Sequence, residues 1–358
     1  MRVTKMAARA FRLPLRRAWD GGVDRNDIVV VRISTDTGLV GTGVSWTPLI
    51  GAGAVESLIN ADLAPVVVGG AAHPSRWEEL LWHLREAGTS GLTLMALAGV
   101  DIALWDVQAK AAGVSLVELV GRRREKVAAY GSGVNLDYDT DDLTAQVRSW
   151  VEDGHRAAKI KVGSPDVGRD ADRVAAVREV LGADRVLMVD ANQRWDVPTA
   201  ARALDRLAEH DLHFVEEPLP AADLAAHERL RGRTAVPFAL GENLRTVEDF
   251  ERFVDAGVCD VAQPNVVRVG GITPFLRIAE TVARRGVPVA PHLLPELSGQ
   301  LALCLPRVAM VEDIDHASFE ALGALAAPSG VRIGEGWLRA ETGPGHGLSF
   351  AEDLAPLP

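Results

Sequence analysis

"RVLMVDANQRWDVPTAARALDRLAEHDLHFVEEP", residues 185–218, decides the fold. A short apolar run ends in Asp190, and an amphipathic helical pattern fills about 197–210. A second apolar run then ends in the pair Glu216–Glu217. Strand, helix and strand at this spacing make a βαβ unit of a parallel sheet, whose strands read as unbroken apolar runs because both faces are covered.

The rhythm continues on both sides. Strands are predicted at 127–132 ("VAAYGS"), 157–163 ("AAKIKVG"), 185–192, 213–218, 237–243 ("PFALGEN"), 259–265 ("CDVAQPN"), 287–292 ("VPVAPH") and 308–313 ("VAMVED"). Helical segments such as "DDLTAQVRSWVEDG", "RDADRVAAVREVLG" and "ITPFLRIAETVARRG" lie between them. Eight strands alternating with helices favour a closed parallel α/β barrel over an open doubly wound sheet. No glycine-rich phosphate loop follows the first strand, which speaks against a dinucleotide site. Upstream, 26–46 alternates in polarity and turns at Asp36–Gly38, as a β-hairpin does, and helical periodicity runs from about 54 to 120. Together these make an α+β module. The tail, 330–358, is rich in Gly and Pro and is expected to form no helix and to pack back onto that module.

At 358 residues and 47% hydrophobic composition the chain can bury a large core and a second, smaller domain. A net charge of −11 argues against nucleic acid and against anionic membrane surfaces, although a local cation can still bind an anionic substrate. Cys259 and Cys304 stand far apart in apolar surroundings and read as buried thiols. The basic N-terminus lacks an apolar run after "RR", so it is not read as a signal peptide. The apolar run "GLTLMALAGV" (91–100) stops at Asp101, too short to cross a bilayer. A cytoplasmic protein is expected.

In such a barrel the reactive groups sit at the strand C-termini. Read in order, these ends carry Lys159 and Lys161, Asp190, Glu216, Glu242, Asn265, His292 and Glu312. Asp190, Glu216 and Glu242 lie 26 residues apart each time, 190 to 216 to 242. Three converging carboxylates repel unless a cation sits among them, and hard oxygen ligands point to Mg2+ rather than Zn2+. The alternative is three solvated loop acids. Lys159 and Lys161 share one face of their strand. In the lumen each would lower the other's pKa and make a lysine base for a carbon acid. Facing outward, they would leave the flanking apolar residues to fill the lumen. A lone histidine is more often structural than catalytic, but opposite a lysine pair and a metal site His292 reads as catalytic. Glu312 is either an acidic surface residue or a hydrogen-bond or proton donor to substrate.

The motifs "KIKVG", "MVDAN", "FVEEPL", "LGEN", "VRVGGIT", "PHLLPE" and "GVDIALWDVQAKAAG" occur in an order and at separations that resemble the mandelate racemase subgroup of the enolase superfamily over essentially the whole chain. The resemblance implies a modified (β/α)7β barrel of the TIM type at 126–325, with an α+β capping domain built from 1–125 and 326–358. It implies one Mg2+ per subunit on Asp190, Glu216 and Glu242. Lys161 would be the base on one face of the α-carbon and His292 the acid or base on the other. Lys159 and Glu312 would hold the enolised carboxylate. Cap segments around 16–27 and 45–53 would close over the substrate, and a symmetric homo-oligomer is expected.

Asn265 departs from that pattern, because an aspartate paired with the histidine is usual there. An amide contributes no charge, so His292 is expected to be a weaker base, with Asn265 accepting from Nδ1–H. The leading expectation is abstraction of the α-proton of a carboxylate through an enediolate, with dehydration of a sugar acid to a 2-keto-3-deoxy acid. A racemase or epimerase of a hydroxy acid or amino-acid derivative, and a catalytically impaired barrel kept for binding, stand as alternatives. Trp19, Asp20, Arg25, Asn192 and Arg268 are candidate substrate contacts, or simple cap surface. The substrate itself is not legible.

Overall fold

The computed structural model describes residues 1–357. The chain opens with a three-stranded antiparallel sheet, β1 (Val3–Trp19), β2 (Val23–Thr35) and β3 (Val40–Pro48), in the order β1-β2-β3. The β2–β3 hairpin is the one expected. β1 was not expected: its inward positions include Ala8 and Ala10 and its outward ones mix basic residues with Ala7 and Ala18, so the alternation is faint in composition. β1 lies at the edge, where Pro14 costs no ladder bond.

Behind the sheet runs the helix Leu92–Ala112. The apolar run does not stop at Asp101. It continues for 21 residues, long and apolar enough by length and composition to cross a membrane, yet mostly buried inside the protein. The helix meets β3 backbone to backbone. A Cβ on Gly43 would stand 1.9 Å from the carbonyl oxygen of Gly99, so glycine is required there.

The barrel follows: β4 (Val127–Ser132), β5 (Ala157–Lys161), β6 (Val186–Asp190), β7 (Leu212–Glu216), β8 (Phe238–Leu240) and β9 (Val261–Ala262), each parallel to the next. The seventh position is a pair of single bridges, from Ala262 to Val289 and from Val289 to Val308. Pro288 and Pro291 lack the N–H that a longer ladder needs. β10 (Val311–Ile314) pairs parallel with β4 and closes the ring. The tail holds a hairpin, β11 (Val331–Gly334) and β12 (Trp337–Ala340), whose second strand pairs with β4. Further on, Ala355 accepts from Arg12 N at 2.9 Å, along β1.

Five barrel helices open on a side chain that accepts from their own first turn: Asp139, Asp166, Asp196, Asp223 and Thr246. Such caps satisfy N–H groups that have no partner within the helix. The sixth, Ile272–Arg284, opens on Gly271 and has no side-chain cap of its own.

The ring is also pinned at its seam by a histidine. His155 Nε2 lies 3.0 Å from Asp313 Oδ2, and its Nδ1 lies 3.2 Å from Ala129 O, joining the last strand to the first. Burial disfavours the imidazolium, but Asp313 and the carbonyl outweigh it and raise the pKa above 6.5. A raised pKa gives stability that is complete below 6.5 and lost as pH climbs through the folded value. The melting temperature of the native protein should therefore exceed that of Asp313→Asn by about 1–2 °C at pH 6 and converge on it in alkaline buffer. A difference independent of pH would show that the pair is not ionised.

Candidate active site

The floor of the barrel lumen is made by Tyr130, Ala157, Met188, Phe214, Ala239, Val261 and Ala290. Strand side chains alternate, so the next lumenal residue lies two positions on. Those positions are Ser132, Lys159, Asp190, Glu216, Gly241, Gln263 and His292, with Glu312 on β10 and Glu242 one residue beyond Gly241. Both lysines therefore point inward, and the outward alternative fails.

Lys159 Nζ is 2.6 Å from Glu216 Oε2, 2.9 Å from Glu312 Oε1 and 4.0 Å from Asp190 Oδ2. Lys161 Nζ is 2.5 Å from Asp190 Oδ2. Burial penalises both ammonium groups, but Glu216 and Glu312 raise Lys159 well above the ordinary value, and Asp190 raises Lys161. Lys159 does depress Lys161 as expected, but the nearby carboxylates outweigh it, so the expected net move toward a neutral lysine is corrected. Glu312 is corrected as well. Burial would raise its pKa, but Lys159 and His292 bring it down to about 2. It accepts from Ser132 Oγ at 2.7 Å and from Leu293 N at 2.9 Å, so it is an acceptor here rather than a donor.

The three proposed metal carboxylates face the lumen, but each is held by a cation or a histidine. Among the described residues no three acidic, histidine or cysteine side chains already form a group arranged to hold a metal ion. Even so, the donor set fits a hard divalent ion. Glu216 Oε1 and the neighbouring Glu217 Oε1 are buried without a hydrogen-bond partner. Burial first, and then Asp190 for Glu216 and Glu242 for Glu217, push both carboxyl groups well above the usual range. Glu242 is the opposite case: His292, Arg268 and Lys161 overcome burial and hold it well below. Oxygen ligands crowded against one another suit Mg2+.

His292 faces Lys161's partners across the lumen, with Nε2 2.6 Å from Glu242 Oε2. Asn265 meets it from behind, Nδ2 to Nδ1 at 3.0 Å. The orientation of that amide follows from its other end. Asn265 Oδ1 accepts from Val267 N at 3.0 Å and Arg268 N at 3.1 Å, so the NH2 group must face the ring. Asn265 is therefore the donor and not the acceptor expected, and the neutral ring carries its proton on Nε2. Asn265→Asp should place a proton on Nδ1, with Glu242 still accepting from Nε2. The 15N shifts of the His292 ring would report this, and unchanged shifts would mean that the two side chains do not interact.

The candidate substrate contacts divide. Asp20 accepts from Leu136 N at 3.0 Å and Asp137 N at 3.2 Å, so both its oxygens are spent on the loop after β4. Arg25 turns to Asp24, Asp27 and Leu49 O within the cap. Trp19 packs on the core at the end of β1. Arg268 donates to Glu242 O and Asn243 Oδ1, both at 3.0 Å, and its guanidinium lies 5.5 Å from the Trp46 ring centre. It braces a carboxylate at the site. Asn192, at φ 42°, turns the chain back so that its own N–H reaches Asp190 Oδ1 at 2.8 Å. Three site residues were missed. Glu217 stood beside its neighbour in "VEEP". Gln263 donates to Glu216 Oε2 at 2.6 Å, and its lumenal position follows from Asn265 by alternation. Asn135 accepts from Lys161 N at 2.9 Å and carries no signal in sequence.

Known proteins bear on this arrangement. Residues 2–121 match the mandelate racemase / muconate lactonizing enzyme N-terminal domain, and residues 142–354 match the enolase C-terminal domain-like family. A 3,6-anhydro-alpha-L-galactonate cycloisomerase of Streptomyces coelicolor is 34% identical over 94% of both chains. An L-talarate/galactarate dehydratase of Salmonella typhimurium is 34% identical over 90% of this chain and 80% of its own. The crystal structure of an L-talarate dehydratase from Polaromonas sp. JS666, complexed with Mg and L-glucarate, superposes with a TM-score of 0.89 at 34% identity, covering 99% of this chain and 96% of that one. The chain belongs to the mandelate racemase / muconate lactonizing enzyme family of the enolase superfamily.

Proposed function

We propose that the protein is a Mg2+-dependent lyase of acid sugars, which removes the α-proton of a carboxylate and expels the β-oxygen to give a 2-keto-3-deoxy acid. The observation that carries this reading is the pair facing across the lumen. Lys161 can cycle a proton once its ion pair is relaxed, whereas the Asn265 contact leaves His292 with its proton already on Nε2. A two-base racemase needs an unprotonated Nε2, and elimination does not.

Asp190, Glu216 and Glu242 would hold the ion, with Glu217 behind them. When bound, the ion would supply positive charge for the enolised carboxylate, and Asp190, Glu216 and Glu242, with their charge neutralised, would no longer hold Lys161 protonated. Lys161 takes the α-proton and then, as an ammonium, returns it to the departing oxygen on the same face. His292 Nε2–H donates a hydrogen bond from the opposite side, and Lys159 neutralises the substrate carboxylate. The leaving oxygen is either a hydroxyl, lost as water, or the ring oxygen of an anhydro acid; the likeness to both a dehydratase and a cycloisomerase supports keeping these two leaving groups together.

The test is incubation with Mg2+ and a panel of aldonic, aldaric and anhydro acids in D2O. α-Proton exchange with a 2-keto product is expected. Exchange with inversion and no keto product would establish an epimerase. Tight Mg2+ binding with no exchange on any acid would establish an impaired barrel. Two free, buried cysteines support a reducing compartment, the cytoplasm, and the symmetric homo-oligomer expected of the family completes the proposal.

A further inference from the structure

We propose that Asp101 is a positioning residue for the catalytic site. From inside the cap it caps the barrel's sixth helix in trans and so fixes the 264–271 loop that carries Asn265 and Arg268.

The helix Ile272–Arg284 needs an acceptor for its first N–H groups and brings none of its own. Asp101, 1% exposed in the middle of the cap helix, supplies it. Its Oδ2 accepts from Thr273 N at 2.9 Å, and its Oδ1 accepts from Thr273 Oγ1 at 2.6 Å. Trp105, one turn along the same cap helix, donates Nε1–H to Thr273 Oγ1 at 3.0 Å. Trp77, also in the cap, donates to Gly270 O at 2.8 Å. The glycine pair is what admits this approach: at Gly271, φ 115°, a Cβ would lie 2.4 Å from Asp101 Oδ2.

The pinned end belongs to a single tight turn. Gly271 N donates to Val266 O at 2.8 Å, and Val269 N donates to Asn265 O at 3.0 Å. Asn265 orients the His292 ring at one end of that turn, and Arg268 braces Glu242 from its middle. The loop is held at the far end by the cap, so a loosened Asp101 contact moves both groups. Reactions tolerate such displacement poorly, and about 1 Å is enough to cost a hundredfold.

The kinetic part of this inference rests on the lyase reading, but the spectroscopic part does not. Four variants test it. Asp101→Leu removes both contacts, and Thr273→Val removes the hydroxyl that joins Asp101 and Trp105 while leaving the N–H bond, whereas Asp101→Asn and Thr273→Ser keep an acceptor or a hydroxyl in place. In magnesium-free protein, the His292 ring 15N signals, assigned by their loss in His292→Gln, should shift in the first pair and stay in the second. With substrate, the first pair should lose about 10- to 100-fold in kcat with KM within about twofold. If Asp101→Leu does not fold, Thr273→Val, at a partly exposed position, gives the same comparison with a smaller loosening, because the Thr273 N–H bond to Asp101 remains. Folded variants of the first pair with unshifted His292 signals would overturn the proposal and leave Asp101 as a domain pin only. Shifted signals in a protein that turns over no acid sugar would uphold it while the lyase reading fails.

Discussion

Lys161→Met is expected to lower kcat by about 10^3- to 10^4-fold and to abolish α-proton exchange, while His292→Gln should cost far less. The asymmetry follows from the geometry. Lys161 Nζ touches one carboxylate oxygen, of Asp190, and neutralising that charge together with those of Glu216 and Glu242 favours the neutral amine. His292 is blocked on both sides, by a donor at Nδ1 and by its own proton at Nε2. Lys161→Arg should fail as badly as Lys161→Met, because a guanidinium does not release its proton. The decisive measurement is deuterium incorporation from D2O in each variant. Exchange that survives Lys161→Met and vanishes in His292→Gln would reverse the assignment and favour an epimerase.

Asp190→Asn should remove Mg2+ binding and turnover together. Asp190 sits between the two lysines and Glu216 in the ring of charges, and an amide there leaves too few anionic ligands for a strongly hydrated ion. In the native protein, Mg2+ at a hundred times its Kd adds about 2.7 kcal/mol of stability by mass action alone. Calorimetry should find no binding heat in the variant, and its melting temperature should not respond to Mg2+. A variant that still melts higher with Mg2+ would place the ion elsewhere.

The barrel was legible because its strands are unbroken apolar runs that end in polar residues, and because the period of two carries over from one lumenal residue to the next. The same rule reaches Gln263 from Asn265. What sequence withheld depends on neighbours brought from afar. The charge of Lys161 is set by how many carboxylates face it. The direction of the Asn265 amide is set by two backbone N–H groups that compete for its oxygen. Asp20 looked like a substrate contact until the loop after β4 claimed both its oxygens. The seventh strand shrank to bridges because of its prolines, and β1 hid behind alanines.

The contact between Arg12 and Ala355 carries a consequence for the order of assembly. Most of the β1 edge is met by nearby groups, Gly69 and Gly70 at Val3, Asn60 at Ala8 and Glu56 at Ala10, but the Arg12 contact closes with a residue from the far end of the fold. Only that end of the strand depends on a partner distant in sequence, and long-range closures of this kind are slow. The basic side chains along β1, Lys5, Arg9 and Arg12 among them, suit an edge strand, because charge on an exposed strand discourages pairing with a stranger.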